Sequence, residues 1–261
     1  MRSYLCRTAS LLLVGVMGSV VAAEPTLMVA EQDFTQVSQF TLSFTDFGIE
    51  SSSAILSTNY ELRAESDVVE TARFTNYFQD VEPLLLPDPT GQTAGISTGD
   101  MFIRVVPGSS EGTYDSATGE FATTELYEIR FTGDLSAFGI TSPIYLPSTS
   151  AGTVQRNPDG TGLISLQWAG EGELPNIDDP SAPIRFTYVC QTHTEFNEQN
   201  RGDLNDDGAI NLSDFSVYAE CHGRGAPGGN CGVVDYIVSD MDGNGLINLL
   251  DFAIFALNFS G

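Results

Sequence analysis

Lysine is absent from this chain: all 10 basic residues are arginine, against 35 acidic ones, and the formal net charge is −25. Such a charge balance offers no electrostatic footprint for nucleic acid or for an anionic membrane surface. Histidine occurs only at His193 and His222, so residues 24 to 190 hold none. A Ser-His-Asp triad, a histidine-based zinc site and a Schiff-base lysine are therefore unavailable in that stretch. Only carboxylate chemistry remains there, of the kind two acids perform on a glycosidic bond, and the sequence singles out no pair. The single tryptophan, Trp168, falls on an alternating apolar face and reads as core before it reads as a sugar-stacking platform. No apolar run is long enough to cross a bilayer, which takes about 20 residues in a helix.

What is present begins with an export pattern. Arg2 and Arg7 precede the short apolar run Leu11 to Val21, and Val21-Ala22-Ala23 supplies small residues for cleavage before Glu24. Residues 1–23 are expected to be a signal peptide, and the mature chain to be secreted or associated with the cell surface. Cysteine use agrees with this. With Cys6 removed, Cys221 and Cys231 flank a glycine-rich run that favours a closed loop, so a disulfide is expected between them. Cys190 ends an alternating strand pattern and reads as a buried, inert thiol.

Hydrophobic residues make up 41% of the chain, enough for a real core, which excludes wholesale disorder. Residues 24–190 read as all β. Phe40, Leu42 and Phe44 alternate with polar residues, as do Tyr127, Ile129 and Phe131, and Ile164, Leu166 and Trp168. Turn residues separate these runs, at Pro87 to Gly91, Pro107-Gly108, Asp115 to Gly119 and Asn157 to Gly160. The stretch Asp67 to Phe78 fits either a strand or a short helix and is assigned as strand. Many short strands suggest a β-sandwich, with a small β-barrel as the alternative. Residues 191–201 are polar and aperiodic and read as a linker.

From residue 202 the apolar period becomes helical, and an internal repeat appears. The first copy runs Asp203, Asn205, Asp207, Gly208, Ala209, Ile210, Asn211, Asp214 and Phe215. The second runs Asp240, Asp242, Asn244, Gly245, Leu246, Ile247, Asn248, Asp251 and Phe252. Acids and amides recur at positions 1, 3, 5, 9 and 12 of each loop, the spacing by which one contiguous loop surrounds the hard cation Ca²⁺ with oxygen. Two ions are expected. Asp203, Asn205, Asp207 and Asp214 would ligate one, and Asp240, Asp242, Asn244 and Asp251 the other. The carbonyls of Ala209 and Leu246 add a seventh-position ligand, and Asn211 and Asn248 act through water. Gly208 and Gly245 allow the sharp turn at position six. Ile210 and Ile247 are the apolar residues through which the two loops would pack together. Only the exiting helices are evident, with Phe215, Tyr218 and Ala219 forming one apolar stripe and Phe252, Phe255, Ala256 and Phe259 the other.

Residues 202–261 resemble a type I dockerin module on these matches, from Gly202-Asp203-Leu204-Asn205 through Asp251-Phe252. The resemblance implies a small all-α, EF-hand-like calcium module that docks onto a cohesin-type partner or cell-surface scaffold. It also implies a link to extracellular polysaccharide breakdown. Loop positions ten and eleven, where dockerins often carry a Ser-Thr pair that meets the partner, are Leu212-Ser213 and Leu249-Leu250 here. Two functions stand open. One is a non-catalytic secreted protein with a docking module; the other is a carbohydrate-binding or glycoside-cleaving β domain targeted by that module.

Overall fold

The computed structural model describes residues 26–46, 48–66, 70–86, 95–136, 139–174 and 181–259. The proposed signal peptide and the turn at Pro87 to Gly91 lie outside the described residues. The chain is mainly β, its helices among the described residues are short and lie at the C-terminal end, and none of them is long and apolar enough to cross a membrane.

The strands, in chain order, are β1 (Thr26–Gln32), β2 (Gln39–Phe44), β3 (Ile49–Ser66), β4 (Glu70–Val81), β5 (Leu85–Leu86), β6 (Ile96–Ser97), β7 (Met101–Val105), β8 (Glu111–Tyr114), β9 (Glu120–Phe131), β10 (Ile144–Arg156), β11 (Thr161–Leu174) and β12 (Ile184–Gln199). The ambiguous stretch after Asp67 is strand, within β4, from Glu70 onward. β5 and β6 pair only with each other; the other ten form one antiparallel sheet.

That sheet closes on itself. β1 and β2 lie end to end between β3 and β12, while β7 and β8 lie between β4 and β9. The remaining ladders run β3–β4, β9–β10, β10–β11 and β11–β12. The pairing therefore follows one ring in chain order and does not divide into two separately edged sheets. Closure removes the exposed edges along which open sheets aggregate.

Alternation fills the ring. Phe121, Tyr127 and Ile129 of β9, Ile164, Leu166 and Trp168 of β11, and Phe186, Tyr188, Cys190 and Phe196 of β12 all point into one buried cluster. Trp168 is fully buried and stacks on Tyr127, with ring centroids 4.3 Å apart. It is core, and it presents no face to a sugar. Cys190 is buried and unpaired, and burial drives its thiol far above the ordinary range.

Residues 191–199 are not a linker. β12 continues through them, pairing with both β11 and β1. Thr192, Thr194 and Phe196 are buried, and the Tyr60 hydroxyl lies 2.7 Å from Thr194 Oγ1. Threonine on the inward face supplies the period-2 burial without an apolar signal. His193, half-buried, sits on this strand with its Nδ1 3.2 Å from Ser165 Oγ.

The chain then enters the C-terminal helices α1 (Leu212–Cys221), α2 (Val233–Ser239) and α3 (Leu249–Asn258). They do not hang free of the sheet. Val29 of β1 and Phe78 of β4 belong to the same buried cluster as Leu204, Tyr218, Tyr236, Ile237, Ile247 and Phe255. Tyr236 meets Phe78 edge to face at 5.8 Å. Cys221 and Cys231 are bonded, tying the end of α1 to the start of α2.

Candidate metal centre

The repeat read from the sequence is a repeat in hydrogen bonding. Loop one spans Asp203 to Asp214 and loop two Asp240 to Asp251. At position one, Asp203 accepts from the N–H groups of Asp207 (3.1 Å) and Gly208 (2.9 Å). Asp240 accepts from Asn244 (3.1 Å) and Gly245 (2.8 Å). At position three, Asn205 Oδ1 and Asp242 Oδ1 accept from the N–H groups of Asp207 and Asn244. At position five, Asp207 and Asn244 accept from those of Ala209 and Leu246. Each bond folds a short polar side chain back on the backbone two to five residues ahead, so the loop winds around its own oxygens.

Positions nine and twelve start the exiting helices. Asn211 and Asn248 cap α1 and α3, accepting from Ser213 and Leu250, while Asp214 and Asp251 reach back to the N–H of the cap residue. Such a reciprocal cap is worth about 1 kcal/mol. The other oxygen of Asp214 accepts from Leu204 and Asn205, and that of Asp251 from Asp242, so each carboxylate ties the helix to the head of its loop. Asn211 Nδ2 and Asn248 Nδ2 donate to the carbonyls of Ala209 and Leu246.

The loops differ in convergence. Asp240, Asp242 and Asp251 each offer an oxygen within 4.8 Å of the others, the one acidic set of this kind among the described residues. Asn244 adjoins them, 2.7 Å from Asp242. The carboxylates of Asp203, Asp207 and Asp214 in loop one do not converge as closely. Asp240 and Asp251 are fully buried, and burial pushes both carboxyls up, that of Asp240 to about 6, with the neighbouring charge of Asp251 reinforcing the shift. Asp203 is raised as well, again by burial. A buried carboxylate surrounded by neutral amides and other acids is costly, and an all-oxygen donor set of this kind fits a hard divalent cation.

Structure supplies parts that the sequence did not disclose. α2 enters loop two directly, with Asp240 as its C-cap, so this copy is helix–loop–helix. The Ile247 backbone pairs with Gly223 and Arg224, while its side chain and that of Ile210 join the same apolar cluster. Arg63 and Asn76, on the sheet, touch Asp240. An arginine inside a strand carries no sequence signal for burial under a loop. Its one hint is Glu61, two residues earlier and so on the same face.

The helical stripes pack on each other and stay partly open. Tyr218 and Phe255 are buried, whereas Phe215 and Phe252 meet at 6.2 Å and remain half-exposed. Leu212 and Leu249 lie three residues before these rings, on the same helix faces, and are 73% exposed. Ser213 and Leu250 are exposed beside them. A scan against protein-family models finds none that matches the chain, and a search of curated proteins likewise finds no match.

Proposed function

We propose that residues 202–261 are a dockerin-like module that binds two calcium ions and docks the secreted chain onto a cohesin-type partner or surface scaffold. The observation that carries this reading is the matching hydrogen-bond pattern of the two loops, ending in the buried, convergent carboxylates of loop two. Asp203, Asn205, Asp207, Asp214 and the Ala209 carbonyl would hold one ion; Asp240, Asp242, Asn244, Asp251 and the Leu246 carbonyl would hold the other. Asn211 and Asn248 would act through water. Bound calcium supplies the positive charge that these acids lack.

The docking surface is the exposed apolar edge formed by Leu212, Ser213, Leu249 and Leu250 at the heads of α1 and α3. Isolated exposed leucines are ordinary, but two equivalent pairs flanking an aromatic contact form a patch of the kind partners cover. The biological setting is extracellular, within polysaccharide breakdown. Calorimetry on metal-stripped protein should show uptake of about two calcium ions, and surface plasmon resonance against a panel of cohesin domains should show calcium-dependent binding. Absence of calcium uptake at millimolar concentration would refute the proposal.

A further inference from the structure

The two loops have different surroundings. Loop one is at the surface, with Asn205 to Ala209 exposed and nothing within 4 Å of a Cβ placed on Gly208. Loop two lies on the outer face of β3 and β4. A Cβ on Gly243 would come within 2.6 Å of Thr75 Cγ2 and 3.4 Å of Arg63 Cζ, and one on Gly245 within 2.6 Å of Pro107.

Two strand side chains reach Asp240 itself. Asn76 Nδ2 donates to Asp240 Oδ2 at 2.9 Å, and Arg63 Nη2 donates to the Asp240 carbonyl at 3.1 Å. Asp203, the equivalent residue, receives backbone N–H groups alone among the described residues.

Asn76 gets there through a backbone irregularity. The β3–β4 ladder shifts register between Asn59 and Glu61, so Asn76 and Tyr77 share the place opposite Tyr60. Asn76 has φ +53°, a left-handed conformation that asparagine tolerates better than most residues. A bulge re-aims side chains: Tyr77 turns into the core and Asn76 onto the loop. Arg63 is fully buried and paired with Glu61, so the pair adds no net charge against a cation. Its Nη1 has no acceptor among the described residues, and a buried donor in that state is rare.

We propose that Asn76 and Arg63 are positioning residues for a divalent cation in loop two and make it the tighter of two calcium sites. This rests on the calcium reading above. Asp240 is held by two bonds from the sheet that Asp203 lacks among the described residues, so less ordering is left for the ion to impose in loop two than in loop one. Partners behind a metal ligand are typically worth about 10- to 100-fold in affinity.

The test is a calcium titration of the metal-stripped full chain by calorimetry. The parent should show two unequal sites. Asn76→Gly removes the amide while leaving the backbone free to hold its positive φ. It should weaken the tighter site about 10-fold and leave the weaker one unchanged. Asn76→Ala is the second variant, and Asp203→Ala should remove the weaker site alone. A merely structural role for Asn76 would move both sites together. Equal weakening of both sites, or of neither, would overturn the inference while leaving the calcium reading intact. A parent that takes up no calcium overturns both.

Discussion

Replacing Arg63 by methionine takes the cation out of a pair whose side chains are 0% and 3% exposed. Glu61 would then sit charged between the sheet and loop two, with the Thr75 hydroxyl, at 2.7 Å, the one side-chain donor left to it among the described residues. Breaking a buried pair from one side costs about 3–5 kcal/mol, because the remaining charge has lost its counter-ion. The hydrogen bond to the Asp240 carbonyl, worth about 1 kcal/mol net, goes with it. The Thr75 bond offsets part of this, so about 3–4 kcal/mol is expected. At this chain length each kcal/mol moves Tm by about 2–4 °C, which places the shift near 10 °C. Arg63→Met combined with Glu61→Gln leaves no uncompensated charge and should cost only about 1 kcal/mol. The recovery of about 2–3 kcal/mol when Glu61→Gln is added to Arg63→Met is the diagnostic quantity. Urea unfolding of the metal-free protein, followed by circular dichroism and by tryptophan fluorescence, measures it. Trp168 reports the sheet and far-ultraviolet ellipticity the helices, and both should move together because Val29 and Phe78 share a core with the helices. A cost below about 1 kcal/mol for Arg63→Met, or a double variant as unstable as the sum of its parts, would refute the reasoning.

Acidity should act on the metal-free protein in an unusual direction. The Asp240 carboxyl is raised from 3.8 to about 6 on folding, so the folded state holds its proton more firmly. Its stabilising effect is complete below pH 3.8 and is lost as pH rises through 6. The loss amounts to about 3 kcal/mol, and urea midpoints from pH 4 to 7 should fall accordingly; a flat profile would contradict it. Calcium should reverse this trend. Replacing Cys221 and Cys231 by serine should cost about 3 kcal/mol through loop-closure entropy, with the native Trp168 emission unchanged because the bond lies outside the sheet core. Cys190, buried and raised by burial, should resist iodoacetamide in the native state and react once urea unfolds the chain. Leu249→Asp with Leu212→Asp should change stability by less than about 0.5 kcal/mol each yet abolish cohesin-type binding.

The alternating strands were legible because aromatic and β-branched residues mark the inward face, as in Tyr127, Ile129 and Trp168. The same periodicity is hidden in residues 191–199, where Thr192 and Thr194 face inward and hydrogen bonds stand in for apolar surface. Ring closure is invisible in sequence because it depends on which distant strands pair, not on what each contains. The loop positions were legible because side chain and backbone there interact within a few residues. α2 was missed: its Val233-Val234-Asp235-Tyr236-Ile237-Val238 run is rich in residues that favour strands, and tertiary packing against Phe78 overrides that preference. Arg63 and Asn76 act on a loop far along the chain, where no local rule reaches.

β12 leads directly into the first loop, with Asn200 to Gly202 between the last strand residue and Asp203. A tether that held the helices to a surface would therefore pull on a strand bonded on both sides, to β11 along one edge and to β2 and β1 along the other. Load along such a strand is a shearing load, shared by many ladder bonds at once, where peeling would break them singly. The second connection, through Asn76 and Arg63 to Asp240, shares that load across the face of the sheet. The sheet is thus joined to the C-terminal helices along a strand and across its face as well as through the shared core, and the closed ring leaves no free edge among the described strands at which an unzipping front could start.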